Sequence, residues 1–169
     1  MIYLGLFFVL LALLLLLLAK SQRREAGLPA GRVIYSDTRA WGKVEKPFYD
    51  AELGLTGKPD YLVEQNGVSI PIEVKSGWAP PEPYEGHIFQ LAAYCLLVKQ
   101  MTGKRPPYGL LHYRNRTFAI DFTPELESSL IKLLLEMRQQ DKHGEADRSH
   151  EEPLRCAHCG YRSYCDQRL

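Results

Sequence analysis

The chain carries almost no excess charge of either sign. Its 169 residues hold 21 Lys and Arg against 20 Asp and Glu, a formal net charge of +1. That balance excludes a histone-like basic tail and an acidic disordered chain, and it leaves room for a local basic groove. Charge is absent altogether from the first 19 residues, no cysteine precedes Cys95, no histidine precedes His87, and there are no internal repeats. The length is too small for two full-sized domains and sufficient for one packed core.

Residues 2–19 are 18 uncharged, apolar residues, ten of them Leu. As a helix they would reach about 27 Å, close to the ~30 Å of a bilayer's hydrocarbon core. A cleaved signal would begin with basic residues and carry a shorter apolar stretch. Here Lys20, Arg23 and Arg24 follow the run and no basic residue precedes it. The expectation is a single-pass membrane anchor over 1–19, with the C-terminal side in the cytoplasm. A polar linker over 20–32 and one domain over 33–169 would follow, the latter closed by a cysteine segment at 150–169. In a reducing compartment Cys95, Cys156, Cys159 and Cys165 are not expected to form structural disulfides.

Two β-rich runs, 59–64 and 68–75, flank Gln65-Asn66-Gly67, and Asn-Gly is a strong hairpin signal. A proline-rich loop over 77–84 leads to a helical pattern over 85–101 that stops before Gly103. Residues 108–113 and 117–122 read as a second hairpin. Thr123 with Pro124 reads as an N-cap and first helical residue of a helix to about Gln140. Residues 33–58 carry no clear pattern. The fold class is α/β, with a central mixed sheet flanked by helices.

A two-residue turn at Asn66-Gly67 sets Gln65 against Val68 and, counted back along the strands, Asp60 against Glu73. Lys75 shares that face, while Ile70, Ile72, Val74, Tyr61 and Val63 fall on the apolar one. Directly opposed like charges destabilise a hairpin. A hard divalent cation removes that cost, and Mg²⁺ takes one or two carboxylates and keeps waters. Lysine beside such an ion can act on a bound water and on phosphate charge. Alone, an Asp and a Glu-x-Lys are ordinary surface residues; the register, the apolar opposite face and Gly57-Lys58-Pro59 before the Asp favour a site. Gln90 and Tyr94, four residues apart, share a helix face, with His87 three residues earlier. Leu91, Ala92, Cys95 and Val98 form its buried side.

Gly57-x-Pro59-Asp60, Glu73-Val74-Lys75 and Gln90-x-x-x-Tyr94 together resemble the PD-(D/E)XK nuclease signature in its RecB-like form. The resemblance runs from about Glu52 to Cys165 and is greatest to the CRISPR-associated RecB-like exonucleases, with the nuclease domain of replication helicase-nucleases related. It implies a restriction-endonuclease-like core in which Asp60, Glu73 and the Val74 carbonyl hold Mg²⁺ or Mn²⁺. It makes Lys75 serve the attacking water; beside the carboxylate hairpin, Gln90 and Tyr94 are expected to contact Lys75 or DNA phosphate.

Cys156-x2-Cys159-x5-Cys165 has thiolate spacing suited to an iron–sulfur cluster or zinc. In the resembled family this array joins one N-terminal cysteine to hold a [4Fe–4S] cluster; with none before Cys95, His150 or His158 could complete a Zn²⁺ site instead. The family's further N-terminal histidine ligand is missing too. The expected function is a membrane-anchored, divalent-metal-dependent DNA nuclease acting on single-stranded or frayed ends. Lys99, Lys104, Arg105, Arg114 and Arg116 are the candidate phosphate contacts, and other nucleic-acid-processing proteins the candidate partners. The alternatives are a catalytically inactive nucleic-acid- or partner-binding module of the same fold and a small metal-binding adaptor built on the cysteine tail.

Overall fold

The computed structural model describes residues 5–11, 14, 31–34, 39, 41–144 and 147–169. Two compact units divide the chain, residues 1–132 and 133–169.

Among the described residues, no helix is long and apolar enough to cross a membrane. Of the apolar run, residues 5–11 and 14 are described, and they are helical. None of the helices formed by the described residues combines the length and the apolar character that a bilayer core requires. This overturns the expectation of a single-pass anchor, and with it that of a membrane partner and a cytoplasmic orientation. The rest of the run, and all of the expected linker before its final two residues, lie outside the described residues.

The first unit is built on a six-stranded sheet: β1 (Arg32–Ile34), β2 (Gly42–Lys43), β5 (Tyr61–Gln65), β6 (Val68–Lys75), β7 (Tyr108–Tyr113) and β8 (Arg116–Asp121), in the order β1-β8-β7-β6-β5-β2. The strands β6 and β7 are parallel and every other neighbouring pair is antiparallel, so the sheet is mixed. A parallel pair needs a long crossover, supplied here by α1 (Glu85–Thr102). A separate hairpin of β3 (Phe48–Asp50) and β4 (Leu55–Gly57) lies within the stretch whose sequence carries no pattern.

Asn66 and Gly67 both take positive φ, 53° and 73°, the pair of left-handed residues a type I′ turn requires. That turn fixes the register Gln65↔Val68 through Tyr61↔Ile72, as the sequence predicts. One face of the hairpin buries Val63, Ile70 and Ile72 with Leu110 and Ala119, and Trp41, Tyr61, Val68 and Tyr108 pack around them. Val74 departs from the expected apolar face: it is exposed. It lies at the outer end of β6, one residue from Lys75 and past the last residue paired with β5.

The helix α1 buries Ile88, Leu91, Ala92, Cys95, Leu96, Leu97 and Val98. These residues are not confined to one stripe, which marks a helix covered on more than one side. It packs on β6 and β7 and also against β3 and β4. Cys95 is a core residue whose thiol pKa burial pushes up. The helix ends at Gly103, whose N–H returns to Lys99 O at 2.9 Å. Thr123 caps α2 (Pro124–His143) through Oγ1, which accepts from Leu126 N at 3.2 Å.

In the second unit, Arg148 organises the tail. Its guanidinium bonds both oxygens of Glu151, at 2.8 and 2.7 Å, and the carbonyls of His150 and Gln167. A short helix α3 (Pro153–Ala157) precedes the last cysteines.

Candidate active site

Asp60 stands one residue before β5, where the register makes Glu73 its opposite number. Its Oδ2 accepts from Val74 N at 2.8 Å, so the carboxylate is fixed against the outer end of β6 by main chain. Glu73 points to the α1 side of the sheet and is buried. Burial raises its pKa first; the neighbouring charge of Asp60 adds to that, and Lys75 and Gln90 pull the other way.

Glu73, Lys75 and Gln90 close a hydrogen-bonded ring, and Tyr94 joins it through Gln90. Lys75 Nζ donates to Glu73 Oε1 at 2.9 Å and to Gln90 Oε1 at 2.7 Å. Gln90 Nε2 donates to Glu73 Oε1 at 2.9 Å and to Tyr94 Oη at 2.9 Å. Chemistry fixes the orientation of this amide. An ammonium can only donate and a carboxylate can only accept, so Gln90 must turn its oxygen to Lys75 and its nitrogen to Glu73. The (i, i+4) spacing of Gln90 and Tyr94 puts both on one face of α1. Burial raises the Tyr94 phenol's pKa, and the charges of Glu73 and Asp60 act in the same direction.

Gly57 explains part of the Gly-x-Pro-Asp stretch. A Cβ there would sit 2.9 Å from Tyr94 Cε1 and 3.0 Å from Leu97 Cδ1. Strand β4 therefore lies directly on the Tyr94 ring, and any larger residue would drive that ring, and Gln90 with it, out of place.

Two carboxylates and the main-chain carbonyl of Val74 are oxygen donors suited to Mg²⁺ or Mn²⁺, which need few protein oxygens, and the Lys75 ammonium stands beside them without being a ligand. Among the described residues Asp60 Oδ1 and Glu73 Oε2 accept no hydrogen bond, so each carboxylate has one oxygen left for a cation. No group of three or more His, Cys, Asp or Glu among the described residues converges as a metal cage. The site accordingly suits a cation that retains much of its water rather than one wholly caged by protein.

The expected phosphate contacts separate into two places. Lys99 and Arg105 both bond Glu127, the former at 2.7 Å, and Arg105 also donates to Phe122 O at 2.7 Å. Lys104 Nζ donates to Gly67 O at 2.8 Å and clasps the hairpin turn. These three belong to the C-terminal end of α1, away from Lys75. Arg114 and Arg116 lie at the β7–β8 turn, and both are exposed. Tyr113, just before Arg114, is the register partner of Lys75.

A cluster around Tyr113 was not legible in the sequence. His87 Nδ1 and Tyr113 Oη are 2.8 Å apart, and the His87 ring meets Tyr84 edge-on at 5.4 Å. Burial lowers the His87 pKa, and the nearby charge of Lys75 lowers it further. Only the parallel pairing of β6 and β7 brings Tyr113 here, and no local pattern encodes that pairing.

In the second unit Cys156, Cys159, Cys165 and His150 line one cavity of about 440 Å³. His158 is turned to Leu154 O, 2.9 Å from its Nδ1, and is not part of that lining. All four cysteines of the chain are free thiols. As placed, the tail's thiols do not converge as a ligand group.

A mixed sheet bears two carboxylates and a lysine on one hairpin, and glutamine and tyrosine from the crossover helix complete the cluster. Residues 10–166 match the PD-(D/E)XK nuclease superfamily, and the chain belongs to it. It is similar to the CRISPR-associated exonuclease Cas4 of Francisella tularensis subsp. novicida (strain U112), at 29% identity over 115 residues, 68% of this chain and 57% of that protein. It is also similar to a CRISPR-associated exonuclease Cas4/endonuclease Cas1 fusion of Leptospira interrogans serogroup Icterohaemorrhagiae serovar Lai (strain 56601). That match is 29% identical over 117 residues and covers 62% of this chain and 22% of the fusion. The chain thus spans little more than half of the first relative and less than a quarter of the second.

Proposed function

We propose that the protein is a divalent-metal-dependent DNA nuclease that hydrolyses phosphodiester bonds at single-stranded or frayed ends. The closed ring of Glu73, Lys75 and Gln90 beside Asp60 carries this reading. Asp60, Glu73 and the Val74 carbonyl would hold Mg²⁺ or Mn²⁺, which supplies Lewis-acid polarisation of the phosphoryl oxygens and a more acidic water. Lys75 spends two of its three N–H groups on Glu73 and Gln90, leaving one for a water or a phosphate oxygen. With two of its donors fixed by these acceptors, it orients a water and stabilises phosphate charge. Gln90 keeps Lys75 from collapsing onto Glu73 alone, and Tyr94 holds Gln90. Arg114 and Arg116 would meet the incoming phosphates.

Incubating the protein with end-labelled single strands, frayed duplexes and blunt duplexes should give cleavage with Mg²⁺ or Mn²⁺ and none in chelator. Chelator-insensitive cleavage, or none with either metal, would reject the proposal. The fused endonuclease of the Leptospira relative supports the expectation that partners of this chain process nucleic acid.

A structural metal or cluster in the tail is proposed on the Cys-x2-Cys-x5-Cys spacing and the shared cavity, with His150 the candidate fourth ligand. Anaerobic purification and elemental analysis should find iron with sulfide, or one zinc per chain. Folded protein free of both would exclude a metal there.

A further inference from the structure

The segment between the catalytic strand and the catalytic helix carries two large exposed rings that the chemistry above does not use. Trp78 is 71% exposed and Tyr84 61% exposed. Trp78 meets no hydrogen-bond or ring partner among the described residues. Both are held at the same end of the sheet. Next to Trp78, Gly77 O accepts from Arg114 N at 3.2 Å and Ala79 N donates to Asn115 Oδ1 at 2.8 Å, so its loop is strapped to the β7–β8 turn. Tyr84 is held through His87 to Tyr113, the partner of Lys75. Pro80, Pro81 and Pro83 lie between the rings and fix φ at three positions, with the residues before them also restricted. The rings are therefore presented by a stiff segment, with little ordering left to pay on binding.

The charge of this segment indicates what it binds. From Ser76 to Glu85 it has two glutamates and no cation, so it is poorly suited to tracking phosphates by itself. An aromatic face is indifferent to that charge and attractive to a base, and only unstacked bases offer both faces. We propose that Trp78 and Tyr84 form a base-stacking platform that seats nucleotides of a single strand beside Lys75. The placement rests on the nuclease reading; the binding itself does not.

The test uses the intact protein in chelator, so that no strand is cut. Binding of a short oligothymidylate is compared with that of an abasic strand of equal length, which keeps the phosphates and lacks the bases. Wild type should bind oligothymidylate more tightly, with quenching of tryptophan fluorescence that the abasic strand does not cause. A blunt duplex should compete poorly. The double variant Trp78→Ala/Tyr84→Ala should lose about 5- to 150-fold in affinity per stacked base while binding the abasic strand as wild type does. Trp78→Phe/Tyr84→Phe should retain most of the affinity, and the ratio of base-bearing to abasic affinity should change little with salt.

Equal binding of the two strands by wild type, equal competition by duplex, or full oligothymidylate affinity in the alanine variant would overturn the platform and leave the rings to a protein surface. Base-dependent binding by a protein that cuts nothing with Mg²⁺ or Mn²⁺ would keep the platform and remove the nuclease reading. Normal cleavage with unchanged binding by the alanine variant would do the reverse.

Discussion

Lys75→Ala is expected to lower metal-dependent cleavage by about 10² to 10⁴-fold, the range for losing a positioned proton-handling or charge-stabilising group. Metal affinity should change little, because the ammonium is not a ligand. Asp60→Ala and Glu73→Ala should also abolish cleavage but by another route, each removing a carboxylate oxygen from the cation. Calorimetry with Mg²⁺ or Mn²⁺ separates the two cases, and cleavage of labelled single-stranded DNA measures the chemical consequence. Lys75→Arg should not restore activity. A planar fork cannot place one nitrogen 2.9 Å from Glu73 and 2.7 Å from Gln90 as the ammonium does. Undiminished cleavage by Lys75→Ala and Glu73→Ala would falsify the assignment of chemistry to this site.

The parts of that site which sequence could reveal are those set by local rules. Asn66-Gly67 dictates a two-residue turn, the turn dictates a register, and the register brings Asp60 and Glu73 together. Gln90 and Tyr94 follow from helical spacing, and Gly103 and Thr123 from the chemistry of helix ends. What stayed hidden depends on contacts distant in sequence. Tyr113 reaches Lys75 only through the parallel pairing of β6 with β7. The β3–β4 hairpin is formed by strands of three residues, too short to show alternation. Asp50 bonds Leu53 N at 3.0 Å and stabilises its turn, a signal that any aspartate in a loop would give. Lys99 and Arg105 looked like free cations because Glu127, their partner, lies on a different helix. The apolar N-terminal run misled because length and hydropathy permit a span without requiring one, and among the described residues no helix is long and apolar enough to cross a membrane.

Glu73→Gln should abolish cleavage and yet make the metal-free protein more stable at neutral pH. Burial raises the Glu73 pKa above its usual value, despite Lys75 and Gln90, so the fold favours the protonated carboxyl. Such a group contributes its stability fully below the unfolded pKa, near 4.5, and loses it as pH rises through the higher folded value. In chelator the variant's thermal midpoint should therefore exceed that of wild type at pH 7 to 8. The difference should shrink toward zero as pH falls below that of an ordinary carboxyl group. Relief of repulsion from Asp60 alone is worth about 0.2 to 1 kcal/mol. Added Mg²⁺ or Mn²⁺ should reverse the order, because a ligand that binds only the folded wild type adds about 2.7 kcal/mol at a hundredfold excess over its Kd. The variant, short of one carboxylate, should gain much less. A variant less stable than wild type in chelator at every pH would show that the buried charge carries no cost. A wild type whose midpoint ignores both metals would show that Glu73 and Asp60 hold neither.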